Sequence, residues 1–203
     1  MDLKETYNAI AEGWHKDHQT DDWWKAGTDD FIALLPSRSK VLDVGCGSGV
    51  KSGYFLARGF KVTGIDFADK LIAIAKRENP LGEFRVMDMR SADTLSTSYS
   101  AVFAQASLLH IPKNEFREVL VTLKGLLSKC GLLYVAVKGI KDGRPEEEVK
   151  EEDDCGYRYQ RFFSYYSMPE LHEHFLAVGL AIVYEQSSQS GKTEWLQIIG
   201  KKK

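Results

Sequence analysis

Long apolar runs are missing from this chain of 203 residues. None approaches the roughly 20 consecutive apolar positions of a membrane-spanning helix, so no membrane partner is expected. The N-terminus, Met1-Asp-Leu-Lys-Glu5, has no apolar signal region either. Cysteine is scarce. Cys46, Cys130 and Cys155 are scattered and odd in number, which argues against a disulfide framework and for a reducing, cytoplasmic setting. An excess of one charge is lacking too. With 27 Lys and Arg against 29 Asp and Glu the formal net charge is −2, so no global attraction to nucleic acid is expected. The terminal Lys201-Lys-Lys203 reads as a solvated tail. No group of His, Cys, Asp and Glu has metal-ligand spacing. The run Gly45-Cys-Gly-Ser48-Gly lacks the G-x-S-x-G register of a nucleophile elbow.

What is present suits one domain with a sizeable core: 43% of residues are hydrophobic and 28% charged. Residues 41–44 (V-L-D-V) run straight into the loop G-C-G-S-G at 45–49, and a helical segment over 50–58 follows. That is a strand, a tight turn and a helix start. Glycine lets backbone approach a ligand closely, and the helix's free N–H groups face that ligand. Residues 62–66 (V-T-G-I-D) read as a second short strand ending in Asp66, whose carboxylate is placed to accept hydrogen bonds from both hydroxyls of a ribose.

Further along, the pattern predicts a helix over 28–35, capped by Thr28 or Asp29 and stopped before Pro36. It predicts a helix over 69–79, a strand over 83–87 and a strand over 101–105. Phe116, Val119, Leu120, Leu123 and Leu127 sit at helical spacing, and 132–137 is a near-continuous apolar strand. This alternation implies a parallel sheet with right-handed crossovers and helices on both faces. The end differs. After a helix over 169–178, strands over 180–186 and 193–200 are separated by six polar residues, too few for a parallel crossover. The last pair must be antiparallel. The charge-dense 141–154 reads as a solvated loop, followed by an aromatic stretch at 157–166 that contains Arg158 and Arg161.

The run L-D-V-G-C-G-S-G at 42–49, followed by Asp66, resembles the cofactor motifs of the class I S-adenosylmethionine-dependent methyltransferases. The stretch R-F-F-S-Y-Y-S-M-P-E-L at 161–171 is similar to one found in their small-molecule members of the type 11/12/25 group. The resemblance covers the chain from about residue 7 to about residue 200. It implies a Rossmann-like α/β fold: a seven-stranded, mostly parallel sheet with one antiparallel strand and helices on both faces. It implies a single domain over 1–203, with 1–36 covering the pocket and 140–166 forming an insert or lid.

The cofactor implied is S-adenosylmethionine, with S-adenosylhomocysteine as product. By the same resemblance its contacts are Tyr7, Trp14, Asp43, Gly45, Cys46, Gly47, Gly49, Asp66, Phe67, Asp88, Met89 and Gln105. Asp88 would accept from the adenine amino group, and Phe67 and Met89 would pack on the adenine faces. The plainer readings are a turn acid for Asp66 and a helix cap for Asp88. Tyr7, Ile10, Ala11 and Trp14 form one helical face, which either packs on the core or lies over the pocket.

His110, in L-L-H-I-P, is the candidate general base, needed only if the acceptor must lose a proton; its plainer reading is a loop histidine bonded to backbone. Nothing like N-P-P-Y follows the fourth strand, where 104–107 read A-Q-A-S. A small-molecule acceptor is therefore expected, with no nucleic acid, handled by a monomer or homodimer. Two alternatives stand beside this reading. A nicotinamide-dependent oxidoreductase with a Rossmann-type fold would read G-x-G-x-x-G, which puts Val50 where a third glycine or small residue belongs, and would continue with a parallel sixth strand. A non-catalytic cofactor-binding subunit would keep the sheet and the loop without the activity.

Overall fold

The computed structural model describes residues 3–141, 143–154 and 157–203, so Cys155 lies outside the described residues. The strands among these are β1 (Lys40–Val44), β2 (Lys61–Asp66), β3 (Glu83–Val86), β4 (Tyr99–Gln105), β5 (Leu127–Lys138), β6 (Glu147–Asp154), β7 (Tyr157–Ser164), β8 (Leu180–Ser190) and β9 (Thr193–Lys202). Seven form one sheet in the order β3-β2-β1-β4-β5-β9-β8. The pairs from β3 through β5 are parallel, and β9 runs antiparallel to both its neighbours. The expected seven-stranded sheet with one antiparallel strand is thus the observed one. A parallel sixth strand, which the dinucleotide-binding alternative requires, is not what lies beside β5.

The α-helices are α1 (Leu3–His18), α2 (Lys25–Ala33), α3 (Val50–Leu56), α4 (Asp69–Glu78), α5 (Lys113–Gly125) and α6 (Met168–Ala177). Strand alternation sends successive side chains to opposite faces of the sheet. Leu42, Val44, Val102, Ala104, Leu133 and Val135 pack in one cluster with Phe116 and Leu120 of α5 and Leu171 and Phe175 of α6. Val41, Ala101, Phe103, Tyr134 and Ala136 pack in another with Phe31 of α2 and Phe55 of α3. At roughly 1.5–3 kcal/mol for each large side chain removed from water, the fully buried Phe31, Phe55, Phe103 and Tyr134 dominate that second face. Burial on both faces is what the near-continuous apolar strands required.

Four expectations are corrected in detail. Helix α2 begins at Lys25, so Thr28 does not cap it; Thr28 is buried inside it and donates its hydroxyl to the Trp24 carbonyl at 2.9 Å. Leu127 opens β5 and does not close α5, because the helix ends at Gly125. The turn between β8 and β9 spans two residues, with Gly191 at φ +57°, since the polar run 187–190 pairs as strand on the sheet edge. Last, the charge-dense segment is not a loop. Its residues 147–154 form β6 and pair in register with β7. The glutamates tolerate a strand because they find partners: Glu152 bonds Arg161, Glu151 lies 2.8 Å from Arg158, and Glu148 accepts from Tyr165 at 2.7 Å.

The β6–β7 hairpin is fastened to the body at several points. Ser164 donates to the Ile111 carbonyl at 2.8 Å, and Thr6 of α1 donates to the Gln160 carbonyl at 3.4 Å. Hairpin and α1 together close over the carboxyl ends of β1, β2, β4 and β5. No helix among the described residues is long and apolar enough to cross a membrane.

Candidate functional site

A cavity of about 340 Å³ opens at the carboxyl ends of the central strands. It lies where the strand order reverses between β1 and β4, the place where open α/β sheets take ligands. Its floor is the glycine loop. Gly45 and Cys46 both donate backbone N–H to the Ile65 carbonyl, at 2.8 and 3.0 Å, which ties the loop to β2. Gly45, Gly47 and Gly49 have φ of +68°, +54° and +80°, a region that side chains disfavour. A Cβ on Gly45 would stand 2.4 Å from the Ser107 Cβ, whereas one on Gly47 would meet nothing within 4 Å. Gly49 does a different job: it packs against Ala75 of α4 and Asn79 just after that helix, and starts α3 without reaching the cavity wall.

Asp66 stands beside this floor, only 8% exposed. Its Oδ2 accepts from the Gly47 N–H at 3.0 Å and its Oδ1 from the Ala68 N–H at 2.9 Å. Burial pushes its pKa up to about 6, opposed by those two backbone bonds. Each oxygen keeps a further lone pair for a ligand. Phe67 and Met89 also line the cavity.

Asp43 and Asp88, both expected to touch the ligand, are outside the lining. Asp43 is buried under the loop and accepts from the Ser52 hydroxyl at 2.7 Å; burial raises its pKa to about 6 as well. It braces α3 against β1. Asp88 accepts from the Arg90 N–H at 2.9 Å as the cap of a short 3₁₀ turn, and its carboxylate pairs with the Arg90 side chain at 3.1 Å.

The end of β4 and the residues just after it supply two unpartnered groups. Gln105 accepts at Oε1 from the Tyr134 hydroxyl at 2.7 Å, which leaves its buried Nε2 without a hydrogen-bond partner. Ser107 Oγ is also buried and unpartnered. Both residues line the cavity. Between them Ala106 takes φ +57°, unusual for a residue with a side chain. Buried polar atoms without partners are rare, and here two adjoin one cavity.

Tyr7 and Trp14 of α1 line the cavity from above, so the aromatic face of this helix covers the pocket and also packs on α4. His15 Nδ1 meets Ser48 Oγ of the glycine loop at 3.0 Å, joining roof to floor. His110 lies deeper. Its Nδ1 is 2.7 Å from the Phe162 carbonyl and its Nε2 is 3.0 Å from the Tyr7 hydroxyl. A carbonyl can only accept, so Nδ1 carries the proton and Nε2 accepts from Tyr7. Arg161 donates to the same hydroxyl oxygen at 3.2 Å, and pairs with Glu152. Burial, with the positive charges of Arg161 and Lys138 adding to it, pushes the His110 pKa down to about 3. The ring is neutral at every physiological pH. Burial meanwhile raises the Tyr7 pKa against the pull of Arg161.

Several lining residues carry no local pattern and were not singled out from sequence: Ser48, Lys51, Ser107, Lys138, Trp23 and Trp195. Lys138 ends β5, and a polar residue at the carboxyl end of a central parallel strand is the signal that would have found it. Trp23 and Trp195 stack with ring centroids 4.2 Å apart. They lie far apart in sequence and only the fold joins them. Among the described residues no group of three or more His, Cys, Asp or Glu could hold a metal ion.

Comparison with known proteins agrees with this geometry. A family model described as a methyltransferase domain matches residues 41–131. YqeM of Bacillus subtilis (strain 168), a methyltransferase by assignment, is 25% identical over 182 residues, covering 85% of this chain and 72% of that protein. The ubiquinone biosynthesis O-methyltransferase of Nitrosomonas europaea is 38% identical over 90 residues, but this covers only 41% of this chain and 37% of the relative. Among solved structures, the 1,6-didemethyltoxoflavin-N1-methyltransferase of Burkholderia thailandensis superimposes with a TM-score of 0.77 at 19% identity, covering 98% of this chain and 87% of its own. The amino pentose methyltransferase CalS10 of Micromonospora echinaspora gives 0.72 at 20% identity, covering 98% and 97%. At these identities the structural likeness is one of fold.

Proposed function

We propose that the chain is a class I S-adenosylmethionine-dependent methyltransferase, passing a methyl group from S-adenosylmethionine to a small-molecule acceptor in the cytoplasm, as a monomer or homodimer; the methyltransferase-domain match over residues 41–131 and the methyltransferase relatives support this reading. One observation carries the reading: Asp66 and the backbone of the glycine loop converge on one cavity, which two unpartnered polar groups at and just beyond the end of β4 also line. The residues present suit the cofactor. Asp66 would take the ribose hydroxyls. Phe67 and Met89 would hold the adenine, with Asp88 at the end of β3 as the acceptor for its amino group. Gly45, Cys46 and Gly47 would meet the methionine portion with backbone groups. Gln105 Nε2 and Ser107 Oγ, orphaned otherwise, would find partners there. Asp43 and Gly49 serve at one remove, by fixing the loop.

When bound, S-adenosylmethionine supplies a methyl group already activated on a sulfonium. The protein's own work is therefore to hold the acceptor in line and keep water out. Tyr7, Trp14 and the β6–β7 hairpin do the second. His110, neutral and engaged at both nitrogens, is a weak base; it positions the Tyr7 hydroxyl over the cavity. His110→Ala is expected to lower kcat about ten-fold, the worth of one buried hydrogen bond, without removing a titration from the pH–rate profile. A parent profile with a limb near pH 6–7 that vanishes in His110→Ala would restore the base role.

The function itself is tested by following S-adenosylhomocysteine release across a panel of small hydroxyl, amine, thiol and carboxylate acceptors. Transfer to at least one class is expected. Tight cofactor binding with no transfer to any would favour the non-catalytic cofactor-binding subunit.

A further inference from the structure

Lys138 is a cation of the cavity wall with no carboxylate at ion-pair distance among the described residues; Glu152 and Glu148 act on it only from further away, and the other lysine of the wall, Lys51, lies over the Trp24 ring. Lys138 ends β5, lines the cavity and is half-buried. Among the described residues its ammonium makes no ion pair and no hydrogen bond; its one close contact is the face of Phe163, 3.9 Å from the ring centroid. Arg161 nearby is a different case. It pairs with Glu152, donates to Tyr7 and lies over the rings of Trp14 and Phe163, so its charge is compensated. A half-buried ammonium left with only a cation–π contact is costly unless something else supplies an anion. Directly across in the β5–β9 register from Lys138 stands Trp195, stacked on Trp23, both in the cavity wall.

We infer that the methyl acceptor is a small organic acid with a flat, unsaturated body, its carboxylate paired with Lys138 and its body lying among Trp195, Trp23 and Phe163. The inference rests on the methyltransferase reading and narrows its substrate. One ammonium beside the Trp195 and Phe163 rings suits a monovalent carboxylate better than a phosphate, which generally draws a fork of donors or several cations at one point.

The test uses the full chain saturated with S-adenosylhomocysteine, titrated with matched pairs: 4-hydroxybenzoate against 4-hydroxybenzamide, and cinnamate against cinnamamide. Each acid is expected to bind at least ten-fold more tightly than its amide. Lys138→Gln should bring the acid to the level of the amide, and Lys138→Arg should keep most of the preference. A cooperative melt for each variant shows that it has folded. Equal binding of acid and amide, a preference that survives in Lys138→Gln, or no acid bound at 10 mM would each overturn the inference. Those failures differ from failure of the methyltransferase reading, in which S-adenosylhomocysteine itself does not bind.

Discussion

Asp66→Ala is expected to weaken S-adenosylhomocysteine binding by two orders of magnitude or more. The carboxylate would accept from two ribose hydroxyls, and a hydrogen bond to a charged group is worth about 1.5–3 kcal/mol. Two such bonds amount to roughly 3–6 kcal/mol, and every 1.4 kcal/mol is ten-fold in affinity. The same carboxylate also holds the Gly47 and Ala68 amides, so alanine loosens the loop as well. Asp66→Asn narrows the difference, because it can keep one of the two backbone bonds to the loop. It keeps the side-chain shape and one oxygen acceptor, and loses the charge. Affinity of Asp66→Asn within a few-fold of the parent would show that the ribose does not depend on this carboxylate.

A pH series gives the same answer independently. Burial has raised the Asp66 pKa to about 6, and the diol needs the ionised form. Affinity should be flat above that value and fall as pH drops through it. Asp43 titrates in the same range but lies outside the lining, so the fall should persist in Ser52→Ala and disappear in Asp66→Asn.

Gly45→Ala and Gly47→Ala should part company, although both glycines have positive φ. A left-handed backbone costs a residue with a side chain about 1–2 kcal/mol, and both variants carry that cost. Gly45→Ala also drives its methyl to 2.4 Å from the Ser107 Cβ, and overpacking of that kind adds about 1–3 kcal/mol. For a chain of this size each kcal/mol shifts Tm by roughly 2–4 °C. Gly45→Ala should therefore lower Tm by about 4–20 °C, and Gly47→Ala by only about 2–8 °C. Binding should reverse the emphasis for Gly47. Its methyl meets open space beside the cavity, so the folded protein tolerates it while close approach of a ligand to the loop does not. Equal melting points for the two, with cofactor affinity kept in Gly47→Ala, would mean that the loop is not the floor of the binding site.

These two predictions concern the part of the molecule that was most legible in the sequence. A strand, glycine turn, helix and second strand are fixed by local backbone geometry, so their spacing alone brings Asp66 to the loop. The antiparallel β9 was legible for a similar reason: a short connection permits nothing else. What escaped depends on contacts between distant segments. The acidic run at 147–154 looked like solvated loop because its charge is local, whereas its pairing with the aromatic β7 is not. Asp43 lies beneath the loop on Ser52, and Asp88 is paired with Arg90 outside the cavity lining, local contacts that no spacing announces. Lys138, Ser107 and the Trp23–Trp195 pair have no pattern around them and become a wall only when β4, β5 and β9 lie side by side.

The central claim is most directly tested by calorimetric titration of the protein with S-adenosylhomocysteine, alongside NADH. Micromolar binding of S-adenosylhomocysteine at one site per chain, with no heat from NADH, is the expected result. A folded protein that binds NADH and ignores S-adenosylhomocysteine would contradict it.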